Sequence, residues 1–375
     1  MSKVAIVRSN SFLYDPMLPK IVRSLSRKYC TSLLGWNREG FGKKSMEIKT
    51  LKDKLNTEFP GSRVHILDLG GPAGTSIVLL YYPIFWGWIF LQLCVQRPHI
   101  VHACDLDTFI PCYIYRILSR SKMIFYIHDR FAMAFIPQKR KFLYWLVNSL
   151  EEKFACKADV FITVGKRLMN TFKRKPKNNK VIMNCCEDVA GPNERSFNSI
   201  LTIAFTGHIS KSRGLENVLS VVEGLDGIEL IAAGKVGDRD LLDQIEHTKN
   251  AKYVGLLTPA EALNLESRCD VMIALYDLHA AQDEFALPLK LWESMMFGIP
   301  LITNVAREIV TEADCGIFVN YNDRAEIGNA IAVLRDNHPL RLKLGNNGRK
   351  AFVEAYNWHK MEESLYAIYD DLLRK

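Results

Sequence analysis

Residues 283–303 read DEFALPLKLWESMMFGIPLIT, and this stretch decides the fold. Its apolar residues follow a helical period, and Lys290 and Glu293, three residues apart, share one face of a helical turn. Gly298 begins a break that ends the helix, and Leu301–Thr303 continues as a short apolar strand. A helix that leads into a buried strand is the repeating unit of a parallel sheet covered by helices.

The same alternation of strand and helix extends along the whole chain. The predicted strands are Val4–Arg8, Thr31–Trp36, Val64–Leu69, Ile100–Ala103, Met123–His128, Val160–Val164, Val181–Asn184, Leu201–Thr206, Glu229–Ala233, Lys252–Val254, Val271–Leu275, Leu301–Thr303 and Ile317–Asn320. This order predicts an α/β fold of two Rossmann-like, doubly wound parallel-sheet domains. A loop-like stretch at 187–199 is the predicted linker, which gives domains at 1–195 and 196–356. We expect residues 357–375 to form a final helix that packs back toward the first domain.

Charge is distributed unevenly between the two halves of the chain. Residues 1–195 contain 31 Lys and Arg against 15 Asp and Glu, whereas the remaining residues contain 18 against 26. The first half is therefore expected to meet an anionic partner, either a nucleic acid or an acidic membrane surface. Nine cysteines without a C-x-x-C pair indicate buried thiols in a reducing cytosol rather than a zinc site. The first residues read as a strand, not as a signal peptide.

Residues 74–96, GTSIVLLYYPIFWGWIFLQLCVQ, carry no charge. The stretch is long enough to span a bilayer, which takes about 20 apolar residues. Pro83 and Gly87 interrupt it, and Tyr and Trp side chains cluster at its centre, as they do at a water–lipid interface. We expect a helix that is half buried in its domain and half in the membrane surface. A fully buried core helix and a true span are the alternatives.

The strand Leu201–Thr206 runs into a turn that begins at Gly207 and ends at Gly214. The two glycines let the backbone approach a ligand closely, and Lys211 and Arg213 place positive charge at the start of a helix. The helix dipole disfavours cations there, unless a bound diphosphate reverses the sign of the interaction. A merely basic turn is the alternative interpretation.

Lys290 and Glu293 lie in a helix that otherwise reads as buried. The apolar residues around them are Leu289, Leu291, Trp292, Met295, Met296 and Phe297. A surface ion pair, worth under about 1 kcal/mol, is the simplest interpretation. Charged groups beside a buried helix, however, usually have a fixed partner or a ligand. We favour a ligand.

Asp105 and Asp107 form a D-x-D pattern, whose two carboxylates can bind a divalent cation. Here the pattern follows a strand and precedes a helix, so Asp107 is the expected N-cap of Thr108–Leu118. An N-cap role, or a hydrogen bond to a second substrate that accepts a transferred group, is favoured over a metal site. Basic side chains and helix termini suffice for a diphosphate, so we expect neither a metal nor a cofactor.

The run at 283–303 resembles the nucleotide-sugar segment of retaining GT-B glycosyltransferases of the family 4-like type (glycosyl transferases group 1), in which P-x-K-L-x-E-x-M-x-x-G-x-P recurs. The other landmarks follow in the family's order: IVHACDLDT at 100–108, MIFYIHD at 123–129, VIMNCCED at 181–188, FTGHISKSRGLENVL from 205, IAAG at 231–234, YVGLLTPAEA at 253–262 and EAYNWHKM near the carboxyl terminus. The resemblance covers the chain from about residue 97 onward. It implies the GT-B fold, in which two Rossmann-like domains face each other across a cleft.

The resemblance also implies roles for individual residues. Arg213 and Lys290 would hold the two phosphates of the donor, and Glu293 would accept hydrogen bonds from the ribose. His128, at the tip of its strand, would contact the transferred sugar and orient its reacting face. The further implied contacts are Gly207, Lys211, Val254 and Glu284 with the donor, and Asp105 and Asp129 on the acceptor side.

Three positions depart from the family's pattern. His208 stands where the family often has Arg, with Lys211 close to it. The first glutamate of the family falls on Phe285, and Glu284 lies one position earlier. The loop Ser9–Leu18 lacks the glycine pair of many relatives.

The implied function is retaining transfer of a sugar from a nucleotide-sugar donor, with a UDP-sugar favoured, to a lipid-linked or glycan acceptor. We expect a cytoplasmic enzyme, peripheral on the inner face of the cell membrane, with no nucleic acid partner. A nucleotide-sugar epimerase of the same architecture and a non-catalytic, glycosyltransferase-like subunit at the membrane stay open as alternatives. An NAD-dependent oxidoreductase is disfavoured because no G-x-G-x-x-G follows a predicted strand.

Overall fold

The computed structural model describes residues 1–9, 17–37, 53, 55–69, 76–137, 139–191, 200–278 and 285–374. The chain divides into two compact units, one formed by Met1–Asn184 with Met361–Lys375 and the other by Cys185–Lys360. The boundary thus falls just before the predicted linker at 187–199, most of which lies outside the described residues. Glu284 also lies outside them.

The first unit is built on a parallel sheet of seven strands within the described residues. The strands are β1 Lys3–Arg8, β2 Cys30–Trp36, β3 Ser62–Leu67, β4 Ile100–Cys104, β5 Lys122–Ile127, β6 Val160–Thr163 and β7 Asn179–Val181. Their order in the sheet is β3-β2-β1-β4-β5-β6-β7. The helices are α1 Leu18–Lys28, α2 Tyr82–Gln96, α3 Leu106–Ser119, α4 Phe131–Phe135, α5 Lys141–Ala155 and α6 Lys166–Asn170.

The second unit has a parallel sheet of six strands in the part of the chain that the structure describes. They are β8 Leu201–Thr206, β9 Ile228–Ala233, β10 Ala251–Tyr253, β11 Val271–Ala274, β12 Leu301–Thr303 and β13 Gly316–Phe318, in the order β10-β9-β8-β11-β12-β13. The helices are α7 Leu215–Val222, α8 Arg239–His247, α9 Pro259–Ser267, α10 Leu289–Phe297, α11 Arg307–Ala313, α12 Arg324–Asp336 and α13 His338–Glu354.

The predicted α/β fold of two Rossmann-like, parallel-sheet domains is confirmed. The central strands β4, β5 and β11 are almost wholly buried apolar runs, as expected of parallel strands covered on both faces. In such sheets ligands bind beyond the carboxyl ends of the strands, where the strand order reverses. That point lies between β1 and β4 in the first sheet, and between β8 and β11 in the second.

The uncharged stretch forms a short 3₁₀ segment, Ser76–Tyr81, followed by α2. Residues Ile77–Gln96 are long and apolar enough to cross a membrane by length and composition, yet only 22% of the apolar 18-residue window within them is buried. One face of α2 packs on the sheet through Phe85, Ile89 and Leu93. The fully buried core helix considered above is therefore wrong. A true span is incompatible with this fold, because β3 and β4 on either side belong to one sheet.

The last helix, α14 (Trp358–Arg374), begins in the second unit and continues in the first. Its Tyr369 hydroxyl lies 2.6 Å from Nδ1 of His102, a fully buried residue of β4. The Tyr366 hydroxyl donates to the Ser24 carbonyl at 2.7 Å, and Asp370 accepts from Tyr29 at 2.7 Å. The carboxyl-terminal residues thus complete the core of the first unit.

Candidate functional site

Three glycines form the carboxyl edge of β8, β9 and β10 in the second unit. Gly207, Gly234 and Gly255 all have positive φ, at 133°, 136° and 93°. A Cβ on Gly234 would lie 1.6 Å from the carbonyl oxygen of Gly207, so only glycine fits there. The Gly234 N–H donates to the Gly255 carbonyl at 2.9 Å. These glycines leave a backbone surface that a ligand can approach closely, and the predicted donor contact Val254 borders it, 41% exposed.

The turn after β8 places Arg213 above an aromatic ring. The Arg213 guanidinium lies 4.1 Å from the centre of the Tyr276 ring, which follows β11 across the reversal of strand order. The Ser212 carbonyl accepts from the Asp277 N–H at 2.8 Å and fixes the turn against the same segment. Lys211 is exposed at the turn, and its backbone N–H donates to Asp238 at 2.9 Å. Two cations therefore lie at the start of α7, as predicted.

Lys290 lies between two carboxylates in the structure. Its Nζ atom is 2.8 Å from Oε2 of Glu293 and 2.5 Å from Oε1 of Glu266, whose side chain is fully buried. Glu266 also accepts a hydrogen bond from the hydroxyl of Thr206, the last residue of β8. A continuous polar network thus connects the glycine edge with α10. We call Glu266, Lys290 and Glu293 the charged trio.

Glu266 is the site residue that sequence reasoning missed. Its helix, α9, begins with a capping box in which the Thr258 side chain accepts from the Glu261 N–H and Glu261 accepts from the Thr258 N–H. Two turns later Glu266 is the buried residue of α9. The sequence did contain a signal for this residue, because Glu266 is a carboxylate in a helix whose capping box can be recognised from Thr258 and Glu261.

The electrostatics of the trio follow from burial. Burial and the Glu293 charge raise the pKa of Glu266, against the opposing effect of Lys290. Burial alone would lower the pKa of Lys290, but the two carboxylates outweigh it and raise that pKa. Lys290 is therefore firmly protonated, and Glu266 takes up a proton more readily than an exposed glutamate.

In the first unit, the strand ends at the reversal of order carry a network of charged side chains. Arg8 ends β1, and its guanidinium lies 3.1 Å from Nδ1 of His128 and 3.7 Å from a carboxylate oxygen of Asp105. The backbone N–H of His128 donates to a carboxylate oxygen of Asp105 at 3.3 Å. A guanidinium only donates hydrogen bonds, so Nδ1 accepts, and a neutral His128 carries its proton on Nε2. Arg8 is a further residue that sequence reasoning missed.

Asp105 has a backbone conformation that is rare for a residue with a side chain. Its φ is 64° and its ψ is 166°, a region used almost only by glycine and found at functional sites. Burial alone would raise the pKa of Asp105, but the neighbouring His128 and the Arg8 charge outweigh it and lower that pKa. Asp105 is thus held as a carboxylate beside His128.

The expected N-cap role of Asp107 is wrong. The unusual backbone of Asp105 turns the chain directly after β4, so α3 begins at Leu106 and Asp107 lies in its first turn. The Asp107 side chain instead accepts from Ser9 and, at 2.6 Å, from the Tyr82 hydroxyl. The two aspartates of the D-x-D pattern therefore have different partners. Asp129, the other residue assigned to the acceptor side, is exposed just after β5.

Comparisons with known proteins agree with this architecture. The family model described as Glycosyltransferase Family 4 matches residues 50–186, and the one described as Glycosyl transferases group 1 matches residues 193–351. An uncharacterized glycosyltransferase of Methanocaldococcus jannaschii is 23% identical over 272 residues, which cover 66% of this chain and 68% of that protein.

Solved structures share the fold along the full chain. The sucrose-phosphate synthase of Thermosynechococcus elongatus is similar with a TM-score of 0.74 and 13% identity, and the match covers 100% of both chains. The Anabaena protein HepE, solved in complex with UDP, is similar with a TM-score of 0.72 and 13% identity, covering 99% of this chain and 100% of that one.

Proposed function

The chain is a glycosyltransferase whose two halves match the Family 4 and group 1 models, and from this premise we propose that it transfers a sugar from a UDP-sugar to a lipid-linked or membrane-associated glycan, with retention of configuration. The observation that carries the proposal is the polar network from Thr206 through Glu266 to Lys290 and Glu293. It brings the glycine edge and α10, the two elements assigned to the donor, together at one end of one sheet.

In the proposed donor complex, Arg213 and Lys290 neutralise the diphosphate and Glu293 accepts hydrogen bonds from the ribose. Lys290 is already paired with two carboxylates, so an arriving diphosphate meets a crowded set of charges. Uptake of a proton by Glu266 relieves this repulsion, and its raised pKa works in that direction. UDP is the favoured nucleotide, in keeping with the UDP and UDP-glucose complexes of HepE.

We assign His128 to the transferred sugar. Arg8 occupies Nδ1, so Nε2–H is the group that donates to a sugar hydroxyl. As the bond between sugar and diphosphate breaks, a phosphate oxygen takes the proton of the acceptor hydroxyl, and the new bond forms on the same face of the sugar. Arg213 and Lys290 stabilise the charge that develops on the leaving diphosphate.

We place the acceptor at the cytoplasmic face of a membrane. The support is the outer face of Ile77–Gln96, where Leu79, Leu80, Leu91 and Val95 are each more than 60% exposed. An apolar surface of this kind in a strongly basic half of the chain fits a peripheral enzyme with a lipid-linked acceptor.

Calorimetry with UDP tests the assignment of the donor site. Glu293→Ala should weaken UDP binding at least tenfold, since a hydrogen bond to a charged group contributes about 1.5–3 kcal/mol. Glu229→Ala, which removes a half-exposed partner of Lys252 on the second unit, is the matched control and should leave the affinity unchanged. Equal affinities for all three proteins would remove Glu293 from the donor site.

Product analysis separates the alternatives. Incubation with UDP-sugar and acceptor, followed by NMR of the new anomeric centre, should show the configuration of the donor. A changed sugar nucleotide without acceptor would instead identify an epimerase. Binding of UDP without turnover of any UDP-sugar would favour the non-catalytic subunit.

A further inference from the structure

An apolar cavity opens between α2 and α3 on the surface of the first unit. It has a volume of about 250 Å³ and is lined by Trp86, Gly87 and Phe90 of α2 and by Ile110, Pro111 and Ile114 of α3. The volume exceeds that of a cavity of about 150 Å³, which accommodates benzene. Almost all of its lining is hydrocarbon or aromatic surface, so it suits an apolar chain rather than a polar metabolite.

Two residues that disfavour helices meet at this cavity. Gly87 lies in the interior of α2 and Pro111 in the interior of α3, where glycine and proline are the poorest helix formers. Pro111 has no N–H to donate to the carbonyl of Asp107, four residues earlier. The indole N–H of Trp86 donates to that carbonyl instead, at 2.7 Å. The hydrogen bond ties the two helices together at the cavity while the small Gly87 keeps it open.

A second, larger cavity lies beside the first, toward the carboxyl ends of α2 and α3, and Leu372 and Leu373 of α14 also line it. It has a volume of about 560 Å³, and Phe90 lines both. Its apolar lining includes Tyr115 and Leu118, whereas its other end is basic, with Arg97, Arg120 and Lys122. We call the two cavities together the α2–α3 groove.

The basic residues of the groove lie just beyond the carboxyl ends of the two helices. Arg97 follows α2 and Arg120 follows α3, and both adopt the left-handed conformation, with φ of 50° and 59°. Glycine is the residue that this position usually favours. Arginine at both positions, together with Lys122, places three cations in the lining of one cavity.

Exposed aliphatic side chains border the groove on both helices. Leu91 and Val95 of α2 are 64% and 78% exposed, and Ile117 and Leu118 of α3 are 56% and 70% exposed. An apolar patch next to clustered basic residues is the surface that anionic lipid membranes attract.

We propose that the α2–α3 groove binds one anionic phospholipid of the bilayer, with an acyl chain between the helices and the phosphate at Arg97, Arg120 and Lys122. The inference rests on the proposed membrane association and names the lipid site that would bring it about. A diester phosphate supplies the negative charge, and the cavity beside Gly87 and Pro111 takes the chain. The lipid is a docking partner here and not the acceptor.

Flotation with vesicles tests the proposal. The full chain is mixed with vesicles of equal parts phosphatidylglycerol and phosphatidylcholine, or of phosphatidylcholine alone. We expect flotation with the mixed vesicles and none with phosphatidylcholine. The triple variant Arg97→Gln, Arg120→Gln, Lys122→Gln should float about tenfold less, since each basic residue near an anionic surface adds to the attraction. The matched control Lys173→Gln, Lys175→Gln, Lys177→Gln removes three exposed charges elsewhere in the first unit and should float like wild type.

Gly87→Phe tests the groove itself. A Cβ at Gly87 meets nothing within 4 Å, so the backbone accepts a side chain there, and we expect the ring to occupy the cavity that Gly87 lines. We expect this variant to lose flotation about tenfold, while Gly87→Ala, which leaves most of the cavity open, floats like wild type. Three results would each overturn the proposal. They are flotation of Gly87→Phe at the wild-type level, an equal loss of flotation in the groove triple variant and the control triple variant, and flotation of the wild type with phosphatidylcholine alone. UDP calorimetry on the same wild-type preparation reports on the donor site separately, so a failure of either assignment is recognised.

Discussion

The two sheets share the order of their first six strands, but different groups lie at their carboxyl edges. In the first sheet the edge carries charged side chains, with Arg8 and Asp105 around His128. In the second sheet the edge is formed by backbone, where Gly207 and Gly234 are in contact. The charged side chains of the trio lie on the neighbouring helices α9 and α10. A shared topology therefore fixes where a site lies, and the local residues decide what it binds. Backbone N–H groups without a covering side chain can donate hydrogen bonds to phosphates. Side chains held in a fixed orientation can instead form hydrogen bonds with the hydroxyls of a sugar.

The largest effect expected at either edge is that of Gly234→Ala. The new Cβ would lie 1.6 Å from the Gly207 carbonyl oxygen, so the backbone of β8 or β9 has to move. We expect a loss of about 4 kcal/mol or more in the free energy of unfolding, together with loss of UDP binding. Urea unfolding and calorimetry measure the two. Gly255→Ala has the same kind of φ but free space, so it should cost only about 1–2 kcal/mol.

The next effect concerns the charged trio. Glu266→Ala removes the fully buried acceptor that the Thr206 hydroxyl and the Lys290 ammonium share, and breaking such a pair costs about 3 kcal/mol. Glu266→Gln retains an oxygen for both donors and should cost under about 1 kcal/mol. Denaturant midpoints compare the two variants. Equal stability of both would mean that Glu266 does not hold Lys290 in place.

A smaller effect is expected at the first edge. Asp105→Ala removes the partner of Arg8 and puts alanine at a positive φ, which together should cost about 2 kcal/mol. Asp105→Asn keeps the shape of the side chain and an oxygen for the His128 backbone N–H, so it should lose about half as much. UDP affinity should stay within twofold of wild type in both. If UDP binding falls with either variant, the division of roles between the two edges is wrong.

The smallest effect is a dependence on pH. The lowered pKa of Asp105 means that its carboxylate stabilises the fold at pH values above its unfolded pKa of about 3.9. This contribution is lost as the pH falls toward the folded pKa. The difference in melting temperature between wild type and Asp105→Asn should therefore be constant from pH 7 to about 5 and shrink below about 4. A difference that grows on acidification would contradict the assigned charge state.

The fold was predictable because parallel strands buried on both faces appear as continuous apolar runs, which local sequence displays. All thirteen predicted strands are present among the described residues. The ends of some strands differ from the prediction because pairing with the neighbouring strand decides them. Val181–Asn184 was predicted, whereas β7 is Asn179–Val181, since Asn179 pairs with Phe161. Likewise α3 begins earlier than predicted because of the backbone of Asp105.

The site was predictable only in part. Lys290 and Glu293 are three residues apart on one helix, so the sequence displays their pairing. Glu266 lies 24 residues earlier on another helix, and only the packing of α9 against α10 brings it to Lys290. Arg8 and His128 are separated by 120 residues. The roles carried over from the family resemblance, including those of Arg213, Val254 and Glu284, remain predictions.

The final helix determines how the chain can be divided so that each unit is expressed separately. A chain that stops before Trp358 would strip the first unit of Tyr369 and leave His102 buried beside a hole. The ends of each unit nonetheless adjoin: the Met183 N–H lies 3.3 Å from Sδ of Met361, and the Trp358 N–H donates to Cys186 at 2.9 Å. Each half therefore lends itself to separate expression, one as residues 185–360 and the other as 1–184 spliced through a short Gly-Ser bridge to 361–375.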